Sequence, residues 1–426
     1  MSNERFDIYA TSDQSLSPGD ARCPGPSPQD MLNRDMDTPP DALKQVKYEY
    51  LGSDDIPLSR YTDEAFYLSE VEHIWQKTWQ WACREEHVTD VGDYYVYDIC
   101  DDSVIIIRGE DDQIRAFINS CRWDFPHIED EKFGLTEVPC DSWGGFVFIN
   151  LDPDATPLED YLQVLPEHFA EWPLENRFIS LHTQKILPGN WKMCMEGFLE
   201  AFHVLATHPE ALRTSSWANT QYDIFSPHVT RFFQNLSSGN PHFEKRYSEE
   251  ELFSFFGHDG KTLPEGMTAR QAHADILREN MSKELAVDLS GHSNSEMLDS
   301  IEYHLFPNAC FFPGVVIPLI YRFRPLGVDR CVHDIMLLQP LPDSGIRPKP
   351  APVEKLEIDE PYTSLASFNQ TGLSHVLDQD TENFTRQWAG MKASKKGHQT
   401  LGNYQEVRIR HFHDVLDTFL RGGEQI

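Results

Sequence analysis

The chain has 426 residues, with 69 acidic and 36 basic side chains and a formal net charge of −33. So negative a chain argues against nucleic acid or an anionic membrane as partner, and favours a basic surface on anything that docks. With 26 Phe, 15 Tyr and 9 Trp it has material for two or three cored domains, which excludes a disordered chain.

The first thirty residues carry no apolar core of the secretory kind, and no run of 18 apolar residues occurs, so no membrane span is expected. The cysteines (Cys23, Cys83, Cys100, Cys121, Cys140, Cys194, Cys310 and Cys331) are scattered, which fits reduced thiols and a cytoplasmic location.

Residues 1–45 read as a flexible tail, because "SPGDARCPGPSPQD" is too dense in Pro, Gly and Ser to keep a helical period. From Arg60 the pattern changes. "YTDEAFYLSEVEHIWQKTWQWAC" sets Phe66, Val71, Ile74, Trp75 and Trp79 at helical spacing behind the capping candidates Thr62 and Asp63. Short β-like runs follow: "YYVYDI", "SVIIIRG", "IRAFIN" and "GGFVFINL", with "GEDDQ" as a hairpin turn. Asp and Pro turns after the last run put a domain boundary near residue 165, giving a β-rich unit over 46–165 and a second over 166–426.

In the second unit "NWKMCMEGFLEAFHVLA" shows a helical apolar stripe, and residues 248–286 read as a helical or irregular insertion. "SIEYHLFPNACFFPGVVIPLIYRFRPLG" and "RCVHDIMLLQPLP" are β-rich, and two helices are expected between Asp378 and Leu420. The fold class is therefore α+β. No internal repeat and no Gly-rich phosphate loop is found, so nicotinamide or flavin chemistry would belong to a separate protein.

The segment "EGFLEAFHVLATHPE" carries the strongest chemical signal. Glu200 and His203 would lie about 60° apart on a helix and share a face, whereas His203 and His208 would be about 140° apart. Pro209 disfavours the helical conformation at His208, so a helix ending there frees that imidazole to turn inward. Two imidazoles and one carboxylate suit a divalent transition metal with positions left for oxygen and substrate, and Asp378 and Asp380 are the candidate acids. Two histidines on an apolar helix are as often core residues, so spacing alone does not decide. "HFHD" sets His411 and His413 on different helix faces, against a ligand role, and Cys194 reads as packing.

The order of "IWQKTWQWACREEHV", "GDYYVYDI", "SVIIIRGEDDQIRAFINSC", "GGFVFINLDPDATPL", "NWKMCMEGFLEAFHVLATHP" and "YRFRPLG", with the acidic C-terminal segment, resembles the large (α) subunit of Rieske-type aromatic-ring-hydroxylating non-haem iron oxygenases. The likeness runs over about residues 50–425. It implies a Rieske-like β domain followed by a helix-grip antiparallel-sheet domain holding a mononuclear Fe(II). It also implies His203, His208 and Asp380 as iron ligands, with Asp378 the fallback, and Glu200 as the acid that links the iron to a neighbouring subunit's cluster. Apart from the resemblance, the aromatic residues Phe198, Phe202, Phe306, Phe311 and Phe312 read first as core; otherwise they wall an apolar substrate cavity, for which Phe198, Phe202, Leu205 and Phe312 are the candidates.

The resemblance fails at one place. A Rieske centre takes two Cys and two His, ordinarily as C-x-H and C-x2-H. This chain has Cys121-Arg122-Trp123 and then Cys140-Asp141-Ser142-Trp143, and an indole N–H only donates. "GLTEVPCDSWGGFVFIN" resembles the segment after the second cluster loop, so that loop reads as deleted and Cys140 as coincidental. His127 alone cannot replace it. No 2Fe–2S cluster is expected, and Cys121 becomes a small apolar residue.

The resemblance then implies an α-type oxygenase subunit that uses Fe(II) and O2 to hydroxylate or oxidatively demethylate a hydrophobic, aromatic or polycyclic small molecule. Electrons would come from a cluster-bearing α-type partner in a trimer-based hetero-oligomer, fed by a ferredoxin or an NAD(P)H reductase. The alternative is a non-catalytic partner subunit in a mixed complex.

Overall fold

The computed structural model describes residues 17, 19–20, 25–35, 37–120, 134–215 and 217–422. The helix expected after Arg60 forms as Glu64–Glu70, where the Asp63 side chain accepts from the Ala65 amide, and it continues as a π-turn over Val71–Trp75. Ile74 and Trp75 are buried, as the helical spacing requires.

The β-runs that follow make two small antiparallel sheets. One has the order Tyr94–Ile99, Asp102–Arg108, Ile114–Ile118, Glu137–Val138, with "GEDDQ" turning the chain between its second and third strands. The other is Gln80–Arg84, Phe146–Ile149, Cys140–Trp143. "QWACR" shows no alternation because all five of its residues are buried, and a strand covered on both faces has no polar side to advertise.

The centre of the molecule is an eight-stranded sheet. Its order is Gln221–Ile224, Val229–Gln234, Ser300–Leu305, Ala309–Phe311, Leu319–Pro325, Cys331–Pro340, Arg177–Leu187, Val353–Leu356, all antiparallel except the last, which runs parallel to its neighbour. Alternate residues of each strand enter different cores. Phe233, Ile301, Tyr303 and Ile320 join a cluster with Trp81, Phe148 and Leu165. Phe232, Leu319, Tyr321 and Ile335 face the other way, into a cluster with Trp191, Leu377 and Phe412. That second cluster also takes in Ile74, Tyr97 and Val104, so apolar packing runs across residue 165 without a break. Arg322 ties the small sheets to the large one: it ion-pairs with Asp334 at 2.7 Å, donates to the Ala82 carbonyl at 3.1 Å and lies 4.2 Å over the Trp81 ring. The α+β class and the antiparallel character expected from the sequence are both present.

The insertion is helical at Glu249–Phe253 and Ala269–Leu285. The C-terminal helices are Ser374–Ala393 and Val407–Leu420. No helix of the described residues is long and apolar enough to cross a membrane.

The tail corrects the sequence reading from residue 25 onward. Pro28–Arg34 is a helix with a capping box between Ser27 and Asp30. Leu43 is fully buried, Arg231 donates to the carbonyls of Ala42 and Gln45, and Asp35 pairs with Arg270 at 2.9 Å. Composition hid this docking because its partners lie some two hundred residues away.

Candidate metal centre

The segment that carries the histidines is not the continuous helix its apolar stripe suggests. Asn190 caps a helix over Trp191–Glu196, which ends at Gly197, and helical structure resumes only for Val204–Thr207. Glu200 and His203 sit in the break. The Glu200 carboxylate fills it: one oxygen accepts from the His203 amide at 2.9 Å and the other is 2.8 Å from His203 Nδ1. His208, before Pro209, leaves the helical region with φ −121° and ψ 68°, as the pre-proline position favours.

Those turns and the long helix Ser374–Ala393 bring His203, His208 and Asp380 together. One ligand-type atom from each lies within 4.8 Å of the others, the one such His/Cys/Asp/Glu group found among the described residues. Asp380 Oδ1 is 3.1 Å from His208 Nε2 and 3.7 Å from His203 Nε2. Each imidazole is held from behind at Nδ1, His203 by Glu200 and His208 by Gln379 Oε1 at 2.7 Å. Both Nε2 atoms are thereby turned towards the same carboxylate, the arrangement in which an acceptor behind each ring fixes the tautomer that can bind a metal.

The electrostatics suit a cation. Burial pulls the His203 imidazole down, but Glu200 and then Asp380 outweigh it and hold it at about 9. Burial also lowers His208, and the hydrogen bond and charge of Asp380 carry it above the ordinary histidine value. Two carboxylates therefore favour positive charge at this point, and the two-nitrogen, one-oxygen donor set fits a divalent transition metal.

Asp378, the other candidate acid, is used elsewhere. Its oxygens accept from the amides of Tyr362 and Thr363 and from the Thr363 hydroxyl, closing the turn that precedes the helix. His413 bonds Glu196 and Tyr61, each at 2.9 Å, and burial drops His411 to about 4. Cys194 is fully buried.

Beside the three residues lies a cavity of about 280 Å³ whose wall is mostly apolar, with Phe198, Phe232, Phe312, Tyr321, Leu319 and Leu377 among its lining. Of the four candidates for a cavity wall, Phe198 and Phe312 line this one. Phe202 and Leu205 do not. Phe202 is 40% exposed with its ring 5.7 Å from that of Trp217, and Leu205 packs in the same small cluster with Ala201 and Ala218. On an unbroken helix Phe198 and Phe202 would share a face; the break after Gly197 separates them. At the cavity floor Glu302 is fully buried, paired with Arg408 at 2.8 Å and hydrogen-bonded by the Tyr321 hydroxyl. A second cleft, of about 490 Å³, also borders Glu200, His203 and Asp380 and is lined by Thr207, Asn383, Arg386 and Gln387. Sequence reasoning missed Gln379. Its only signal was its place next to Asp380.

Cys121, Trp123 and His127 lie outside the described residues. Cys140 opens the strand Cys140–Trp143, opposite Ile149, and burial pushes its thiol up to about 12. Trp143 stacks edge-on to Phe169 and Phe311, with ring centroids 5.5 and 5.6 Å away. Gly144 and Gly145, at φ 59° and 75°, close the hairpin in a conformation that favours glycine.

A family model described as "Ring hydroxylating alpha subunit (catalytic domain)" matches residues 166–422. The carnitine monooxygenase oxygenase subunit of Escherichia coli K12 is 27% identical over 36% of this chain and 52% of that protein. The glycine betaine monooxygenase oxygenase subunit of Pseudomonas aeruginosa is 22% identical over 42% and 50%. The chain thus spans about half the length of the curated relatives it matches. Among solved structures, a quaternary ammonium Rieske monooxygenase superposes with a TM-score of 0.60 at 13% identity, covering 86% of this chain and 95% of that one. The naphthalene 1,2-dioxygenase from Rhodococcus sp. bound to indole does so at 0.58 and 16%, covering 87% and 95%. At these identities the structural likeness speaks for the fold, and at 86–87% of the chain it reaches beyond the residues that the family model matches.

Proposed function

The chain belongs to the ring-hydroxylating alpha-subunit family, and from that premise we propose that it is the iron-bearing subunit of an oxygenase acting on a hydrophobic aromatic small molecule. The observation that carries this reading is the convergence of His203, His208 and Asp380 at the head of an apolar, ring-lined cavity. These three residues would hold a ferrous ion, which supplies the capacity to bind and reduce dioxygen next to the substrate. Glu200 and Gln379 keep the two imidazoles in the tautomer that presents Nε2. The phenylalanine walls keep water from the reacting carbon, and the cavity volume suits one or two rings, with hydroxylation or oxidative demethylation as the outcome. The carnitine and glycine betaine relatives keep a quaternary ammonium substrate within the tested range.

The N-terminal unit, in this reading, holds no 2Fe–2S cluster. Trp123 stands where the first cluster loop would need a histidine, the second loop reads as deleted, and Trp143 and Cys140 belong to a packed hairpin. Electrons then arrive from outside the chain. The second cleft, lined by Glu200, His203, Thr207 and Arg386, is the side from which a cluster-bearing α-type partner, itself served by a ferredoxin or an NAD(P)H reductase, would supply them. The expected assembly is a trimer-based hetero-oligomer.

Reconstitution with a cluster-bearing α-type subunit and a reductase tests the proposal. Oxygen-dependent product should form, and Asp380→Ala should abolish it. Product formation that survives Asp380→Ala would instead make this chain a structural partner. A fully active homo-oligomer by native mass measurement, needing only a reductase, would overturn the partner assignment.

A further inference from the structure

The strand register fixes a second property of the cavity. Along Val229–Gln234, Phe232 and Gln234 face the cavity while Val229 and Phe233 enter the opposite core. Across the ladder Phe232 pairs with Glu302 and Gln234 pairs with Ser300. Beyond the end of the strand, Leu236 bridges to Ser215, and the Gln234 amide donates to the Ser215 hydroxyl at 2.7 Å. Ser215, Gln234 and Ser300 all line the cavity, so one strand end gives it a neutral polar patch in an otherwise apolar wall.

The charges around the cavity are one-sided. Its lining includes Glu200, Glu210, Glu302 and Asp380 and, among the described residues, no Lys or Arg, while its two imidazoles are already paired, His203 with Glu200 at 2.8 Å and His208 with Asp380 at 3.1 Å. Arg408 stands behind Glu302 and is consumed by it, by Thr230 and by the Leu199 carbonyl. A divalent ion held at the histidines would be balanced by Asp380 and Glu200. An anionic ligand would therefore lose its hydration and find no unpaired cation in exchange. A neutral amide, carbonyl or hydroxyl would exchange its water for Ser215, Gln234 and Ser300.

We propose that the ligand of this cavity is an uncharged or cationic ring compound with one hydrogen-bonding head that docks on Ser215, Gln234 and Ser300, and that carboxylate-bearing ligands are rejected. This rests on the oxygenase reading only in taking the cavity as the substrate site.

The test is direct binding of three probes to the full chain by calorimetry: naphthalene, 2-naphthamide and 2-naphthoate. The amide and the carboxylate have nearly the same shape, so their difference reports charge. 2-Naphthamide should bind at least ~10-fold more tightly than 2-naphthoate, and ~3–10-fold more tightly than naphthalene, the worth of one or two net hydrogen bonds. In Gln234→Met the amide-to-naphthalene ratio should fall towards one. Ser215→Ala and Ser300→Ala should each lower it by a smaller factor and serve if the glutamine variant does not fold. Naphthoate binding as tightly as naphthamide overturns the charge argument, and a wild-type amide-to-naphthalene ratio of one overturns the head-group argument. Binding needs no electrons, so the expected preferences without oxygen-dependent turnover would sink the oxygenase reading alone. Turnover with an anion preference would sink this inference alone.

Discussion

Two parts of the molecule carry metal-type residues at suggestive spacing, and they are built in opposite ways. Around His203 and His208 the chain gives up regular structure: the helix stops at Gly197, Glu200 turns to cap the His203 amide, and each imidazole has an acceptor behind it. Around Cys140 and Trp143 the chain gains regular structure. A hairpin closes, the thiol is pushed up by burial, and the indole fills a gap between Phe169 and Phe311. The first part accepts irregular backbone to aim its donors, and the second uses its residues as packing. Preorganised donors distinguish a site from a coincidence of spacing, because a free imidazole or thiol would otherwise settle on the nearest partner.

The largest expected effect breaks the first part and spares the second. Loaded anaerobically with ferrous iron, the purified chain should bind about one ion, as one two-histidine, one-carboxylate site allows. His203→Ala or His208→Ala should reduce iron content to near background, measured by metal analysis after dialysis. The visible spectrum should show no Rieske-type bands. Such bands from this chain alone, or full iron retention in His203→Ala, would reverse the comparison.

The next effect is on stability and tests the second part. Trp143→Ala removes a half-buried ring that links the hairpin to Phe169 and Phe311, and should lower unfolding stability by ~2–3 kcal/mol, below the cost for a fully buried tryptophan. Urea denaturation measures it. Trp143→His should destabilise similarly without creating a cluster, since Cys140 faces Ile149 across a closed ladder.

Gln379 sharpens the comparison further. Gln379→Leu leaves His208 Nδ1 without its acceptor and should weaken iron binding by ~10-fold, the lower end for loss of a group behind a ligand. Gln379→Glu should restore affinity, because it keeps an acceptor at the same reach. Equal loss in both variants would mean that Gln379 acts only through the packing of its helix.

These effects also mark what the sequence made legible. The inward turn of His208 was legible from Pro209, while the choice of Asp380 over Asp378 came only from the family resemblance; the β-runs were legible because alternation survives wherever one face meets solvent. The break at Gly197 was not readable. "MCMEGFLEAFHVLA" has a good helical period, and what overrides it is a demand from outside the segment, the placing of His203 against Asp380 on a helix nearly two hundred residues away. The misplacement of Phe202 and Leu205 follows from that one break. Gln379 and the docking of Leu43 were hidden for the same reason, since a polar side chain next to an acid, or a leucine in a tail, shows its use only when the distant partner is known.

The smallest expected effect concerns the acid layer behind the site, which has no counterpart near Cys140. Glu406 precedes the helix Val407–Leu420 and accepts from the Gly402 amide. Burial raises its carboxyl from the ordinary glutamate value to about 7, and the charges of Glu200 and Glu196 add to the rise while Arg410 opposes it. The folded chain therefore holds a proton here that the unfolded chain releases near pH 4.5. Its stabilising contribution is complete below that pH, declines as pH rises towards 7, and is gone above it. Since the side chain is only partly buried, solvent screening leaves an effect on the order of 1 kcal/mol. Glu406→Gln keeps the acceptor for Gly402 and cannot ionise. The variant should match the wild type at pH 4 and exceed it in thermal stability at pH 8, with the gap opening between pH 5 and 7. A gap that is the same at pH 4 and at pH 8 would show that the gain comes from packing and that the acid layer carries no strain.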